Sequence, residues 1–294
     1  MAIIGIDIGG TNFRIGMVGE DGAVSDFRKV PVEQVFTSDD PLGDLGGYLK
    51  AYSRGQCIRA VSIGFPATLD AAREAVLQAP NLPGIENLPV TRVLSRELGI
   101  PVFIERDVGM ALAYDCRKYG IPGKGIVCAF YFGTGIGNAI AIDGKLLIGR
   151  NGTAGELGHI PVDGSEAICG CGNVGCLEPL AGGRYLAQLS REVYPGTHVS
   201  ELFTKYGDEP LLGQFVDRMA MAVATEVNIL DPDVVLVGGG VPNMPDFPRE
   251  VLERRILTRT RKPLPAGRLR IIYAGDEPEK GVVGAALYAK GKMT

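Results

Sequence analysis

No segment of this chain offers the ~20 uninterrupted apolar residues that a membrane-spanning helix requires, which excludes that class of protein. Lys and Arg form no long run, and a formal charge of −4 leaves no basic patch for nucleic acid or an anionic membrane surface. The opening Met-Ala-Ile-Ile-Gly-Ile-Asp has no basic region ahead of an apolar stretch, so a secretory signal is not expected and the protein is read as cytoplasmic. Cysteine is sparse, six in 294 residues, and histidine sparser, with two. A disulfide framework is disfavoured by the missing signal and by the closeness of Cys169 to Cys171. What the chain does have is length and 46% hydrophobic residues, enough to fill two cores of ordinary size.

The scarce residues are gathered rather than scattered. Cys169, Cys171 and Cys176 stand at C-x-C-x4-C spacing with His159 ten residues ahead, and Gly170, Gly172 and Gly175 let a short loop curl its sulfurs inward. Three thiolates and one imidazole complete a tetrahedral Cys3His zinc site. Such a site is closed to water, so zinc is expected to hold the loop rather than do chemistry. Glu156 and Glu178 flank the loop as acceptors for a polar ligand. Cys57, Cys116 and Cys128 are read as reduced, semi-buried residues without a role in chemistry.

Three glycine turns follow apolar strands. Residues 3–8 stop at Gly9-Gly10-Thr11 and residues 13–18 resume the strand pattern, a hairpin whose bare amides can approach a phosphate, with Asp7 placed to hold magnesium through water. The plan repeats where residues 125–132 run into Gly133-Thr134-Gly135-Ile136-Gly137, then a strand over 139–142 and the Asp143-Gly144 turn. Two such hairpins, one per half, suggest a nucleotide held between two lobes. A third strand, 234–237, ends in Gly238-Gly239-Gly240, a flat backbone suited to an adenine or ribose face.

Strands are also expected over 60–65, 101–105 and 269–274, and helices over 41–54, 90–98, 108–119, 211–230, 249–260 and 281–290. The loop Ala79–Gly84, polar only at Asn81, reads as lining a cleft. Arg106 and Asp107 fall between a strand and a helix, where α/β folds place ligand-binding groups. Asp107 also suits a helix N-cap, and the two roles can coexist.

In order along the chain, Asp7-x-Gly9-Gly10-Thr11, Glu105-x-Asp107, Gly133-Thr134-Gly135-x-Gly137, Glu156-x-Gly158-His159, Cys169-x-Cys171-Gly172-x-x-Gly175-Cys176-x-Glu178 and Gly238-Gly239-Gly240 resemble the ROK family of sugar kinases and repressors, within the actin and hexokinase superfamily. The resemblance implies a two-lobed α/β fold with ribonuclease-H-like cores and a zinc-bound loop. Residues 1–121 would form the first lobe, joined by a returning helix at 281–294, and residues 122–280 the second. It further implies ATP- and magnesium-dependent phosphorylation of a hexose. Asp107 would be the general base, and Asn81, Arg106, Asp107, Glu156, His159 and Glu178 would meet the sugar. His159, Cys169, Cys171 and Cys176 would hold zinc, His159 with one ring nitrogen on the metal and the other toward the sugar. Asp7, Gly9, Gly10, Thr11, Asn12, Gly133, Thr134, Gly135, Gly137, Gly238, Gly239 and Gly240 would serve the nucleotide and its metal.

A homodimer is the expected assembly. The family's repressors carry a helix-turn-helix ahead of the first strand, and here that strand begins at residue 3, so a repressor is not expected. Arg106, Gly109 and Ala67 depart from the family's Asn, Asn and Gly. Gly64–Ala67, Arg106–Val108, Gly155–Pro161 and Met244–Glu250 look more like the D-allose kinases of the family than its glucokinases, so the 6-hydroxyl of D-allose is the expected acceptor.

Overall fold

Two five-stranded sheets of the same plan organise the chain, as seen in a computed structural model that describes residues 1–80, 82 and 84–293. Asn81, expected to meet the sugar, lies outside the described residues.

In the first unit, β1 (Ala2–Ile8), β2 (Asn12–Val18) and β3 (Val24–Pro31) form an antiparallel meander. α1 (Pro41–Tyr52) leads to β4 (Ile58–Phe65), which pairs parallel with β1. A small ribbon of β5 (Thr68–Leu69) and β6 (Val76–Gln78) and then α2 (Val90–Leu98) come before β7 (Val102–Arg106), the last parallel strand. α3 (Asp107–Lys118) follows directly, and the chain's end returns to this unit as α9 (Lys280–Met293).

The alternation of β1 decides which helices cover which face, since successive side chains point to opposite sides. Ile4, Ile6 and Ile8 join a core with Leu45 and Leu49 of α1 and Val90 and Leu94 of α2. On the other face Ile3 packs with Val282, Ala286 and Ala289 of α9. Gly5 lies on that second face, where a Cβ would stand 2.0 Å from the Val282 carbonyl oxygen, so the helix backbone rests on the strand.

The second unit holds Pro122–Leu147 and Gly155–Asp276. β8 (Ile126–Phe132), β9 (Ile136–Ile142) and β10 (Lys145–Leu146) repeat the meander. α4 (Glu178–Ala181), α5 (Gly183–Glu192), α6 (Leu202–Tyr206) and α7 (Pro210–Leu230) come before β11 (Val234–Gly238), parallel to β8. α8 (Arg249–Arg259) then leads to β12 (Ile271–Tyr273), parallel to β11. The order β10-β9-β8-β11-β12 mirrors β3-β2-β1-β4-β7, which is the ribonuclease-H-like plan stated twice. α7 ends at Asp231, whose φ of 48° is left-handed, and Pro232 prevents continuation.

Three differences from the sequence reading have physical causes. β3 carries no apolar face because it is an exposed edge strand, so its pattern is silent. Ile148–Ala154, expected in the second lobe, packs in the first unit, where Arg73 Nη1 donates to the Gly152 carbonyl at 2.9 Å. α3 begins one residue early, with Arg106 in the cap position and Asp107 as the first helical residue. Among the described residues no helix is long and apolar enough to cross a membrane.

Candidate active site and metal centre

In the first unit the turn from β7 into α3 brings Glu105, Arg106 and Asp107 together. Glu105 is 1% exposed and its Oε1 accepts the Arg106 amide at 2.9 Å. Asp107 Oδ1 accepts the amide of Val108 at 2.8 Å, which fixes the carboxylate's rotamer at the helix's first turn, where an acidic group suits the helix dipole. The Arg106 guanidinium donates through Nη2 to the Ala154 carbonyl at 2.7 Å. Glu105 and Asp115 are ion-paired with Arg73 and Lys280 respectively.

The first glycine turn closes between β1 and β2, with the Gly9 amide on the Asn12 carbonyl at 2.8 Å and Gly10 and Thr11 exposed. Asp7 stands opposite Arg14 in the hairpin register, and the two form an ion pair of 2.8 Å. Sequence reasoning passed over Arg14, yet the signal was present: a hairpin closing at residues 9–11 sets position 14 across from position 7. Behind Asp7 lies the first turn of α9, where a Cβ on Gly281 would meet the carboxylate at 2.5 Å.

In the second unit the Gly133–Gly137 turn is held from two sides. The α5 amides of Gly183 and Arg184 donate to the carbonyls of Gly133 and Thr134 at 2.8 and 3.0 Å. Glu178 Oε2 accepts the Ile136 amide at 2.9 Å, and a Cβ at Gly135 would stand 2.3 Å from that oxygen, so only glycine admits the carboxylate there. Glu178, expected at the sugar, thus fixes the Gly133–Gly137 turn. Gly137 lies on β9 opposite Tyr131. At the third turn Gly239 has φ 91° and a Cβ on it would meet the Phe132 carbonyl oxygen at 2.6 Å, so it serves the protein's own packing. Gly240 faces open space. Asn243 Nδ2 braces the turn from the Gly239 and Ala274 carbonyls, both at 3.0 Å, and Arg249 holds Asn243 in turn.

His159, Cys169, Cys171 and Cys176 converge, with one ligand atom from each lying within 4.8 Å of the others. Cys171 and Cys176 sulfurs are 3.7 Å apart, and Cys169 Sγ is 3.5 Å from His159 Nδ1. Tetrahedral zinc, with bonds of ~2.3 Å to sulfur and ~2.0 Å to nitrogen, requires edges of about 3.7 and 3.5 Å, so the four groups fit a structural zinc. The Asn173 backbone amide lowers the Cys171 thiol, whereas burial pushes Cys176 up to about 12. Holding Cys176 as a thiolate at neutral pH therefore calls for a cation. His159 presents Nδ1 to the sulfurs and Nε2 to Glu156, at 3.6 Å from Oε2, so the cluster and the carboxylate meet separate ring nitrogens. Of the other cysteines, Cys57 is exposed, Cys116 half-buried and Cys128 fully buried.

The sequence matches the ROK family over residues 3–292. This chain belongs to the ROK family. It is 29% identical to the glucokinase of Thermotoga maritima, covering 100% of this chain and 98% of the relative, and equally 29% identical to the N-acetylmannosamine kinase of Salmonella typhi, covering 99% of both. Among solved structures, a ROK glucokinase from Streptomyces griseus in complex with glucose and AMPPNP superposes with a TM-score of 0.78 at 28% identity, over 99% of this chain and 100% of that one.

Proposed function

We propose that this ROK protein is an ATP-dependent hexose kinase acting on the 6-hydroxyl of D-allose, with Asp107 as general base. The observation that carries the kinase reading is the Glu105–Asp107 turn: a carboxylate fixed at a strand-to-helix junction, in a family whose relatives include kinases of glucose and N-acetylmannosamine. Asp107 would take the proton of the attacking hydroxyl, a role that typically supplies ~10²- to 10⁴-fold in rate. Glu156 and His159 lie together at 3.6 Å and would offer sugar hydroxyls an acceptor carboxylate and a donor Nε2–H, and Glu178 would join them as an acceptor while anchoring the Gly133–Gly137 turn. That turn, the Gly9–Thr11 turn and Gly240 would receive the nucleotide, and Asp7 would hold magnesium through water. Magnesium bound there would neutralise charge on the phosphates. Arg14, beside Asp7, adds a cation at the same place.

The allose preference rests on Arg106. Of the runs that look like allose kinases, Met244–Glu250 has a structural use, because Arg249 braces the third glycine turn through Asn243. Arg106 instead offers a donor-only guanidinium where the resemblance expects an Asn, with its Nη2 on the Ala154 carbonyl. Allose differs from glucose by an axial hydroxyl at carbon 3, and a site built to bond that hydroxyl rejects the epimer by leaving a buried group unpaired. Glucokinase and N-acetylmannosamine kinase are the competing readings, favoured by the equal identity to both relatives.

ADP release measured across allose, glucose, mannose, fructose and the N-acetylated hexosamines should give the highest kcat/KM with allose. Arg106→Asn should move the ratio toward glucose; an unchanged ratio, or wild type preferring glucose, defeats the allose assignment. Asp107→Asn should keep sugar affinity and lower turnover about 10²-fold or more. Retention of more than about a tenth of turnover would remove Asp107 from the role of base. An absence of ATP turnover with every sugar would favour a sugar-responsive regulator.

A further inference from the structure

The peptide that carries Asp107 is held from behind by a side chain in an unfavourable backbone conformation. Arg73, in the ribbon between β5 and β6, has φ 58°, the left-handed region that glycine occupies freely and a long side chain does not. It is also only 7% exposed. A buried, strained arginine in a tight turn persists only where its surroundings demand it.

The demand comes from Glu105. Arg73 Nε lies 2.8 Å from Glu105 Oε1 and donates to Oε2 at 3.0 Å, and its Nη1 donates to the carbonyls of Asp70 and Gly152 at 3.1 and 2.9 Å. Glu105 Oε1 in turn accepts the Arg106 amide. The phenol of Tyr288, on α9, is raised by burial and then by the negative charge of Glu105, which places a third element against the same carboxylate. The chain of contacts therefore runs from Arg73 through the Glu105 carboxylate to the Arg106 amide, one peptide ahead of Asp107. Arg73 also grips Gly152, and Arg106 grips Ala154, so both guanidiniums hold the Ile148–Ala154 segment in the first unit.

We propose that Arg73 is a positioning residue for phosphoryl transfer, clamping Glu105 so that the Arg106–Asp107 peptide is set in place. This rests on the reading of Asp107 as base. Buried ion pairs give little net stability but are costly to break on one side. A pair in this position is therefore better explained by the geometry that it imposes than by the stability that it adds. A one-ångström displacement of a catalytic group can cost on the order of 10²-fold in rate.

Arg73→Lys keeps the charge but loses the fork, and Glu105→Gln keeps the shape but loses the charge. Each should lower kcat at least about tenfold, with affinity for D-allose or glucose, measured by calorimetry, changed by less than about threefold. In an Asp107→Asn background the same changes should have no further effect on turnover, because there is no base left to misplace. Amide hydrogen exchange over residues 106–108 should accelerate in Arg73→Lys without any ligand, a readout independent of catalysis. If Arg73→Lys does not fold, Glu105→Gln decides. Turnover within about twofold of wild type with unchanged exchange, or a loss that multiplies undiminished onto Asp107→Asn, overturns the proposal. Wild type without phosphoryl transfer is the failure of the kinase reading instead, an unimpaired Asp107→Asn is the failure of the base assignment, and the exchange data then still decide whether Arg73 fixes the turn.

Discussion

Glu226 shows how a single side chain can set a pH dependence. It sits on α7 at 6% exposure, with Asn138 Nδ2 on its Oε1 at 3.1 Å and the Cys128 thiol as a further donor. Burial raises its pKa above the ordinary 4.5, and the bonds from Asn138 and Cys128 only partly oppose the rise. The native state then holds the proton more tightly than the unfolded chain. No penalty exists below the unfolded pKa, and stability falls as pH rises from there through the folded value. Glu226→Gln should therefore be more stable than wild type at pH 8, by about 1.4 kcal/mol for each unit of elevation, and the difference should vanish as pH approaches ~4.5. Urea midpoints at several pH values measure this, and a difference that grows toward acid would contradict it. Nothing in the sequence around Glu226 marks it, because it interrupts an apolar helical stripe like any solvent-facing residue. Arg73 was equally unreadable within Asp-Ala-Ala-Arg-Glu-Ala. The Cys3His ligands were legible because their residue types and spacing are rare by chance, whereas a buried Glu or Arg acquires its meaning only from partners distant in sequence.

At the scale of the element, the zinc loop was readable and its connection to the phosphate turn was not. The C-x-C-x4-C spacing and its glycines specify a tight coordinating loop, and the isolated bridges Pro161–Cys176 and Ile168–Val174 show how little regular pairing it has beyond the metal ligands. Glu178, two residues past Cys176, bonds the Ile136 amide, so the loop, Glu178 and the Gly133–Gly137 turn form one mechanical unit. That bond joins positions 42 apart, which no local pattern announces. Chelation, or Cys171→Ser at an exposed thiol whose loss opens no core cavity, should lower Tm by at least ~5 °C, about 2 kcal/mol for a domain of this size. Sugar affinity should fall with it, since Glu156, His159 and Glu178 lose their support. Because binding needs three thiolates, metal retention should also weaken as pH is lowered. An unchanged Tm and Kd after complete metal removal, verified by elemental analysis, would separate the loop from the site.

Across the whole molecule, the chain's end completes its beginning. α9 covers the Gly5 face of β1, and its first turn meets both Asp7 and α3. The apolar spacing of residues 281–290 announced a helix, but not where it docks; that follows from Gly5 and from Gly284, where a Cβ would stand 2.0 Å from the Met110 carbonyl oxygen. Such close backbone contact leaves the helix little freedom in depth, and its position along the strand is fixed by an ion pair. Lys280 Nζ lies 2.6 Å from Asp115 Oδ2, with side-chain exposures of 9% and 0%. Lys280→Met strands a buried carboxylate and should cost about 3–5 kcal/mol, whereas Lys280→Met combined with Asp115→Leu should cost much less, since a buried pair replaced by apolar groups is often neutral. Denaturant unfolding of both single variants and the pair closes the cycle. Because Gly281 follows Lys280 and abuts Asp7, the single variant should also weaken ATP use more than sugar binding. Single-variant losses that simply add in the pair would mean that backbone packing alone seats the helix, and the Lys280–Asp115 contact would then have no part in holding Asp7 at the phosphate turn.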